Sequence, residues 1–263
     1  MVRQRPMGLL VAIMTLVGGG VTEAQEATPG LPPTLRVLTA ADEMPEMFSF
    51  EPSEAPGLER ELIEGFCRLH GLRLESVPVR DFGQIISMLE RGDGDVITGI
   101  VVTPKRRERI AFTSQLFPIR HLIVTRQPDG PVGDPSVLRS LRVGVIPGTS
   151  WEDVVIDAGV PDDRRVAFTD AGALFDGLRD GRIHAVVVPL FDFALARKRD
   201  AALVAGAFVG PKGSAAFGVR KTAPQLLGAL NSYLNVTRQS RHHLMFRYLD
   251  ERALSLIALA RKD

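Results

Sequence analysis

The chain of 263 residues has one cysteine, Cys67, so no disulfide can form within it. Cys67 stands among Leu62, Ile63 and Phe66, where a thiol serves as a small core hydrophobe. It is far from the N-terminus, so lipid attachment at a processed N-terminal cysteine is not expected. Charge of one sign is also lacking: 32 Lys and Arg face 31 Asp and Glu, a net charge of +1. That balance argues against a nucleic-acid partner. After the first two dozen residues no apolar run approaches the ~20 residues of a spanning helix. Signatures of common chemistries are missing too: there is no Gly-x-Ser-x-Gly elbow, no His-Glu-x-x-His, no cysteine pair and no phosphate loop with its lysine. The five histidines (His70, His121, His184, His242, His243) are scattered. His242 and His243 are neighbours, which on a helix face apart. No metal and no cofactor are expected.

Arg3 and Arg5 precede an apolar run from Gly8 to Val17, followed by the small-residue site Thr22-Glu23-Ala24. This is the pattern of a secretory signal peptide spanning 1–24. The mature protein is expected to be exported, soluble, free of membrane insertion and stabilised by packing alone.

From Leu35 the chain alternates strand and helix signals, which points to an α/β fold. Leu35–Ala40 reads as a strand. Gly57–His70 reads as a helix with Leu58, Leu62, Ile63, Phe66 and Cys67 on one face and Gly71 as its C-cap. Leu72–Val79 is again a strand, and Asp81 is placed to cap a helix carrying Phe82, Ile85, Ile86 and Leu89 inward. The β-branched run Asp95–Val102 reads as a central parallel strand, stopped by Thr103-Pro104. Ligands of open α/β sheets sit beyond the carboxyl ends of strands. Arg106, three residues past Thr103, therefore becomes a candidate handle for a carboxylate or phosphate.

The same order returns in the second half: a strand at Leu141–Ile146, a helix at Thr149–Gly159, a strand at Arg165–Thr169, a helix capped by Asp170, and a strand at His184–Val188. Both halves open Leu-Arg-Val, at Leu35 and Leu141, and Asp95 and His184 each lie three residues past a helix-ending glycine. Two similar α/β lobes follow. The Pro- and Gly-rich segment Gln127–Pro135 and the small-residue segment Gly213–Val219 read as the connections between them. The expected organisation is a first lobe of 25–126 plus 213–263 and a second lobe of 127–212, with a helical tail packing back on the first.

Several motifs in order resemble the bacterial extracellular solute-binding proteins of family 3. They are Pro56-Gly57-Leu58-Glu59, Gly92-Asp-Gly-Asp95, Thr103-Pro-Lys-Arg106 with Ile110-Ala-Phe112, Val143-Gly-Val-Ile-Pro-Gly148-Thr149-Ser150, Gly181-Arg-Ile183 and Ala216-Phe-Gly-Val-Arg-Lys221. The resemblance implies a two-lobe clamp of the type II periplasmic-binding kind. It further implies a small-molecule carboxylate ligand, an ABC permease as partner, a monomer and a periplasmic location. By position, Arg106 matches the residue that holds the ligand carboxylate. Gly99 and Val101 fall where neighbouring ligand contacts lie, with Thr103 beside them. Phe82 matches an aromatic wall, or serves as a core residue on its helix stripe. Thr149 and Ser150 match the second-lobe helix N-terminus, or simply cap it.

The departures concern the ammonium half of an amino-acid site. Pro189 stands where such receptors carry an acid; Asp192, three residues on, can replace it or cap a helix. Glu43 stands where an aromatic is usual, and Val101 where a hydroxyl is usual. An organic acid or modified amino acid is expected to bind better than standard L-amino acids. The alternatives on this fold are an accessory or sensory periplasmic protein, such as a quinoprotein-dehydrogenase-associated one, and a dehydratase of the cyclohexadienyl type. Catalysis is not expected.

Overall fold

A computed structural model describes residues 29–40, 49–50, 55–239, 244 and 247–248. The signal segment 1–24, Glu43, His242 and His243 lie outside them. Among the described residues no helix is long and apolar enough to cross a membrane.

Each half is built on the same three parallel strands. In the first, β1 (Thr34–Ala40) lies between β2 (Arg73–Val79) and β3 (Val96–Val101). In the second, β6 (Val143–Val145) lies between β7 (Arg165–Ala167) and β8 (Ala185–Pro189). The central strands are buried on both faces and correspondingly apolar. The repeat extends to single bonds. The Arg36 amide donates to Asp95 Oδ2 at 3.0 Å, and the Arg142 amide donates to His184 Nδ1 at 3.0 Å. In return the Asp95 and His184 amides donate to the Arg36 and Arg142 carbonyls. Asp95 and His184 are thus equivalent clips that fix the register of the outer and inner strands.

The helices follow from their stripes and caps. In α1 (Leu58–His70) the predicted face is buried, and Gly71, at φ 64°, closes it in the left-handed conformation that favours glycine. Burial pushes the Cys67 thiol on this face up to about 11, so it stays protonated. Asp81 accepts from the Gly83 amide, two residues on, and this tightens residues 82–84 into a 3₁₀ turn before α2 (Ile85–Arg91). Phe82, half-buried, packs against the cluster of Ile85, Ile86 and Leu89 and also reaches a cavity wall. Thr103 caps α3 (Pro104–Arg109), Thr149 caps α4 (Ser150–Asp157) and Asp170 caps α5 (Ala171–Arg179). Pro189 leads directly into α6 (Leu190–Arg199).

Two long antiparallel strands join the halves into one sheet, in the order β2-β1-β3-β9-β5-β8-β6-β7. The first, β5 (Phe117–Arg126), runs along β8 from His121 to Val124. The second, β9 (Leu203–Val219), borders β5 through most of its length and β3 from Ala215 onward, where the short β4 (Ala111–Phe112) also joins it. Sequence reading took the Gly213–Val219 end of β9 for a connection and did not mark the strand before it. The cause is Gly210-Pro211-Lys212, an exposed bulge with Gly210 at φ 72°, where proline costs no ladder bond. After β9, α7 (Pro224–Val236) returns to the first half, with Leu226, Leu230, Tyr233 and Leu234 packed on Leu62, Ile63 and Phe66.

Candidate functional site

A cavity of about 60 Å³ lies where the carboxyl ends of β3 and β8 face each other. At roughly 10–15 Å³ per water it holds about four to six water molecules. Its walls draw on both halves. Phe82, Thr98, Gly99, Val101 and Arg106 come from the first; Thr149, Ser150, Trp151, Phe191 and Asp192 from the second; Phe117 and Ile119 from the joining strand β5.

Arg106 is 6% exposed, in the last turn of α3. The Thr103 hydroxyl accepts from its amide at 3.2 Å, which sets the direction of the side chain. Nη1 donates to the Val101 carbonyl at 2.9 Å, and Nη2 crosses the cleft to the Gly148 carbonyl at 3.1 Å. The Phe82 ring lies 5.7 Å from its guanidinium carbon, within cation–π range. Among the described residues no carboxylate lies within ion-pair distance of it. Burial accordingly lowers its pKa from the usual arginine value, with the more distant Asp153 charge opposing. The group is a buried cation held by carbonyl dipoles, a state that an anion would relieve.

The floor is shaped by a glycine. The β3–β9 register slips between Ile97 and Ile100, and Gly99 sits there at φ 51°. A Cβ on it would fall 1.8 Å from Glu59 Oε1. Opposite, the Thr149 hydroxyl donates to the Ile146 carbonyl at 2.6 Å and accepts from the Glu152 amide at 3.3 Å. Glu152 Oε2 accepts from the Gly148 amide at 2.8 Å. These bonds form a reciprocal cap of the Ser/Thr-x-x-Glu kind and leave the amides of Ser150 and Trp151 without an acceptor among the described residues. Orphan amides at a helix N-terminus carry partial positive charge.

Of the residues singled out from sequence, Arg106, Gly99, Val101, Phe82, Thr149, Ser150 and Asp192 meet around this one cavity. Thr103 is not on its wall; it positions Arg106. Val101 contributes its carbonyl to the same arginine. Thr149 spends its hydroxyl on capping, whereas Ser150 turns its side chain to the cavity and to His121 Nε2, 3.2 Å away. Asp192 is buried at the wall, in the first turn of α6. Sequence reading passed over Trp151, Phe117, Phe191 and His121. Phe117 and Phe191 stack at 5.6 Å with planes 22° apart. The only tryptophan of the chain directly follows Ser150, and that adjacency was the available signal. Among the described residues no cluster of His, Cys, Asp and Glu could hold a metal ion.

Solved structures share this architecture. An ancestral arginine-binding protein bound to arginine is 25% identical, covers 82% of this chain and 98% of its own, and has a TM-score of 0.73. Holo ArgBP from T. maritima is 27% identical over 78% of this chain and 91% of its own, at 0.70. An ancestral amino acid-binding protein, a precursor of cyclohexadienyl dehydratase, is 23% identical at 0.75, covering 83% and 96%, a likeness of fold. Among curated proteins, the membrane-bound lytic murein transglycosylase F of Shewanella pealeana is 27% identical over 123 residues, 45% of this chain. The match spans only about a quarter, 26%, of that enzyme's length. The model of the bacterial extracellular solute-binding proteins, family 3, matches residues 35–249, and the chain belongs to that family.

Proposed function

We propose that the protein is a periplasmic receptor that captures a small carboxylate-bearing ligand, an organic acid or an amino-acid-like molecule, between its lobes for an ABC importer. The observation that carries this reading is Arg106, a buried guanidinium whose protein partners are two carbonyls, one from each side of the cleft. In this reading the ligand carboxylate takes the guanidinium N–H groups that the Val101 and Gly148 carbonyls leave over. Its other oxygen meets the Ser150 and Trp151 amides. Phe82 and the Phe117–Phe191 pair enclose the ligand body. The carboxylate touches both lobes only when they are together, so it favours the closed state by its differential affinity.

Pro189 offers no charge at the end of β8, and Asp192 supplies the acid from one helical turn further on. A cationic group of a ligand would therefore be met away from the position an α-ammonium occupies. Calorimetric titration with acetate, propionate, lactate and the common L-amino acids tests the reading. Organic acids are expected to bind more tightly than their α-amino counterparts. Tight binding of a common L-amino acid, or no binding of any carboxylate, overturns it.

A further inference from the structure

His121 is the one histidine that approaches the cavity, and none of the features described so far uses it. It is 3% exposed, on β5 opposite Pro189, with Nε2 3.2 Å from Ser150 Oγ. Nδ1 is buried and has no partner among the described residues. Burial, with the Arg106 charge adding to it, pushes the His121 pKa down to about 4. The ring is therefore neutral near pH 7 and carries a single N–H.

That single proton has two places, and they give Ser150 opposite characters. With the proton on Nδ1, the serine hydroxyl must donate to Nε2, and only its lone pairs remain for the cavity. A buried N–H would also be left with no acceptor, a rarer condition than an under-used acceptor. With the proton on Nε2, Ser150 Oγ accepts from His121 and its own hydrogen is free to turn into the cavity. The second arrangement places a hydroxyl donor beside the orphan amides of Ser150 and Trp151, across from the Arg106 guanidinium.

We propose that His121 is a positioning residue for the anion site, holding Ser150 Oγ from behind through Nε2–H so that the serine proton is presented to the ligand carboxylate. This inference rests on the carboxylate reading given above and assigns a donor to its second-lobe half. It gives a role to a histidine flanked on β5 by the buried apolar residues Ile119, Leu122 and Ile123.

Two measurements test it. Histidine side-chain nitrogen NMR on the full-length protein reads the tautomer without any ligand. The expected result is a protonated Nε2 and a bare Nδ1, with the Nε2 resonance moved by Ser150→Ala. A protonated Nδ1 overturns the proposal. Calorimetry with propionate on wild type and variants reads the consequence. His121→Leu and Ser150→Ala are each expected to weaken binding about tenfold or more, the effect of one hydrogen bond to a charged group. The double variant should be no weaker than either, because both changes remove one donor. His121→Gln, which keeps an amide donor near the Nε2 position, should recover most of the affinity. Wild-type affinity in His121→Leu, or no recovery in His121→Gln, overturns this inference and leaves the receptor reading standing. A wild-type cleft that binds none of acetate, propionate and lactate overturns both.

Discussion

Gly148 and Gly83 meet backbone to backbone across the cleft, and Gly148→Ala should push the halves apart there. A Cβ on Gly148 would lie 2.6 Å from Gly83 Cα and 3.0 Å from Gly83 N. Ordinary carbon–carbon contact is about 3.5–4.0 Å, so the halves must part by roughly 1 Å at this point. Both obstacles are backbone, which no rotamer change can clear. The bond most exposed to that movement is the one from Arg106 Nη2 to the Gly148 carbonyl, now 3.1 Å. One ångström more takes it out of hydrogen-bonding range. A bond from a charged donor contributes about 1.5–3 kcal/mol, so the closed state should lose about a factor of 10–100 relative to the open one.

A second cost must be kept apart from this one. Gly148 has φ 77°, and alanine in the left-handed region costs about 1–2 kcal/mol. That cost falls equally on open and closed forms. It lowers Tm by a few degrees, at about 2–4 °C per kcal/mol for a chain of this size, without touching closure. Gly83→Ala is the control, because its Cβ would meet only the Asp81 carboxylate, at 3.1 Å. The assay is small-angle scattering with and without saturating propionate, set beside calorimetric affinity. Gly148→Ala should stay extended and bind 10–100-fold more weakly, while Gly83→Ala compacts like wild type. A Gly148→Ala protein that compacts fully and binds at wild-type affinity would refute the argument, since the contact could not then belong to the closed state.

Other consequences follow from the same contacts. Arg106→Ala should abolish detectable propionate binding in calorimetry while circular dichroism stays native, and Arg106→Lys should restore only part, since an ammonium cannot reach two acceptors as a fork. Gly99→Ala should be the most damaging small change at the site, because its Cβ would sit 1.8 Å from Glu59 Oε1 in a strand buried on both sides; thermal melting should show a loss of at least 3 kcal/mol or no cooperative transition. Burial opposes ionisation of Asp95, but hydrogen bonds from Arg36 and Arg220 prevail and hold its carboxyl below the usual aspartate range. Its contribution is therefore complete above the unfolded aspartate pKa and is lost as pH falls through the depressed folded value; Asp95→Asn should destabilise by about 3–5 kcal/mol at neutral pH and flatten the acid limb of a stability–pH curve from denaturant melts.

The sequence disclosed those features whose causes are local. The stripe of α1, the caps at Thr103, Thr149 and Asp170, and the strand–helix order each depend on residues within a turn or two of one another. Arg106 was legible because a strand-ending Thr-Pro places the following turn at the carboxyl edge of the sheet. The first ten residues of β9 were not, because the bulge at Gly210–Lys212 looks like a loop until β5 lies beside it. The two readings of Phe82, aromatic wall and core residue on the helix stripe, are compatible, since the ring packs on the Ile85–Leu89 cluster and lines the cavity as well. The His121–Ser150 pair was illegible for a different reason. Its members are 29 residues apart on different elements, and no spacing rule connects the middle of a strand with a helix N-terminus.

The repeat clarifies where function was free to diverge. At the amino ends of β3 and β8 the two halves do the same work with different chemistry. Asp95 and His184 each accept one backbone amide from the neighbouring strand, at the same 3.0 Å. For that one bond either side chain serves, because each offers a lone pair at that height; Asp95 additionally accepts from the Arg36 and Arg220 guanidiniums. At the carboxyl ends the halves no longer correspond. One ends in Val101 and passes through a capped turn to a cation, Arg106; the other ends in Pro189 and passes directly into a helix whose first turn carries Asp192. The amino end of the strand keeps one shared backbone bond in both halves. The cleft end carries opposite charges instead, Arg106 on one wall of the cavity and Asp192 on the other.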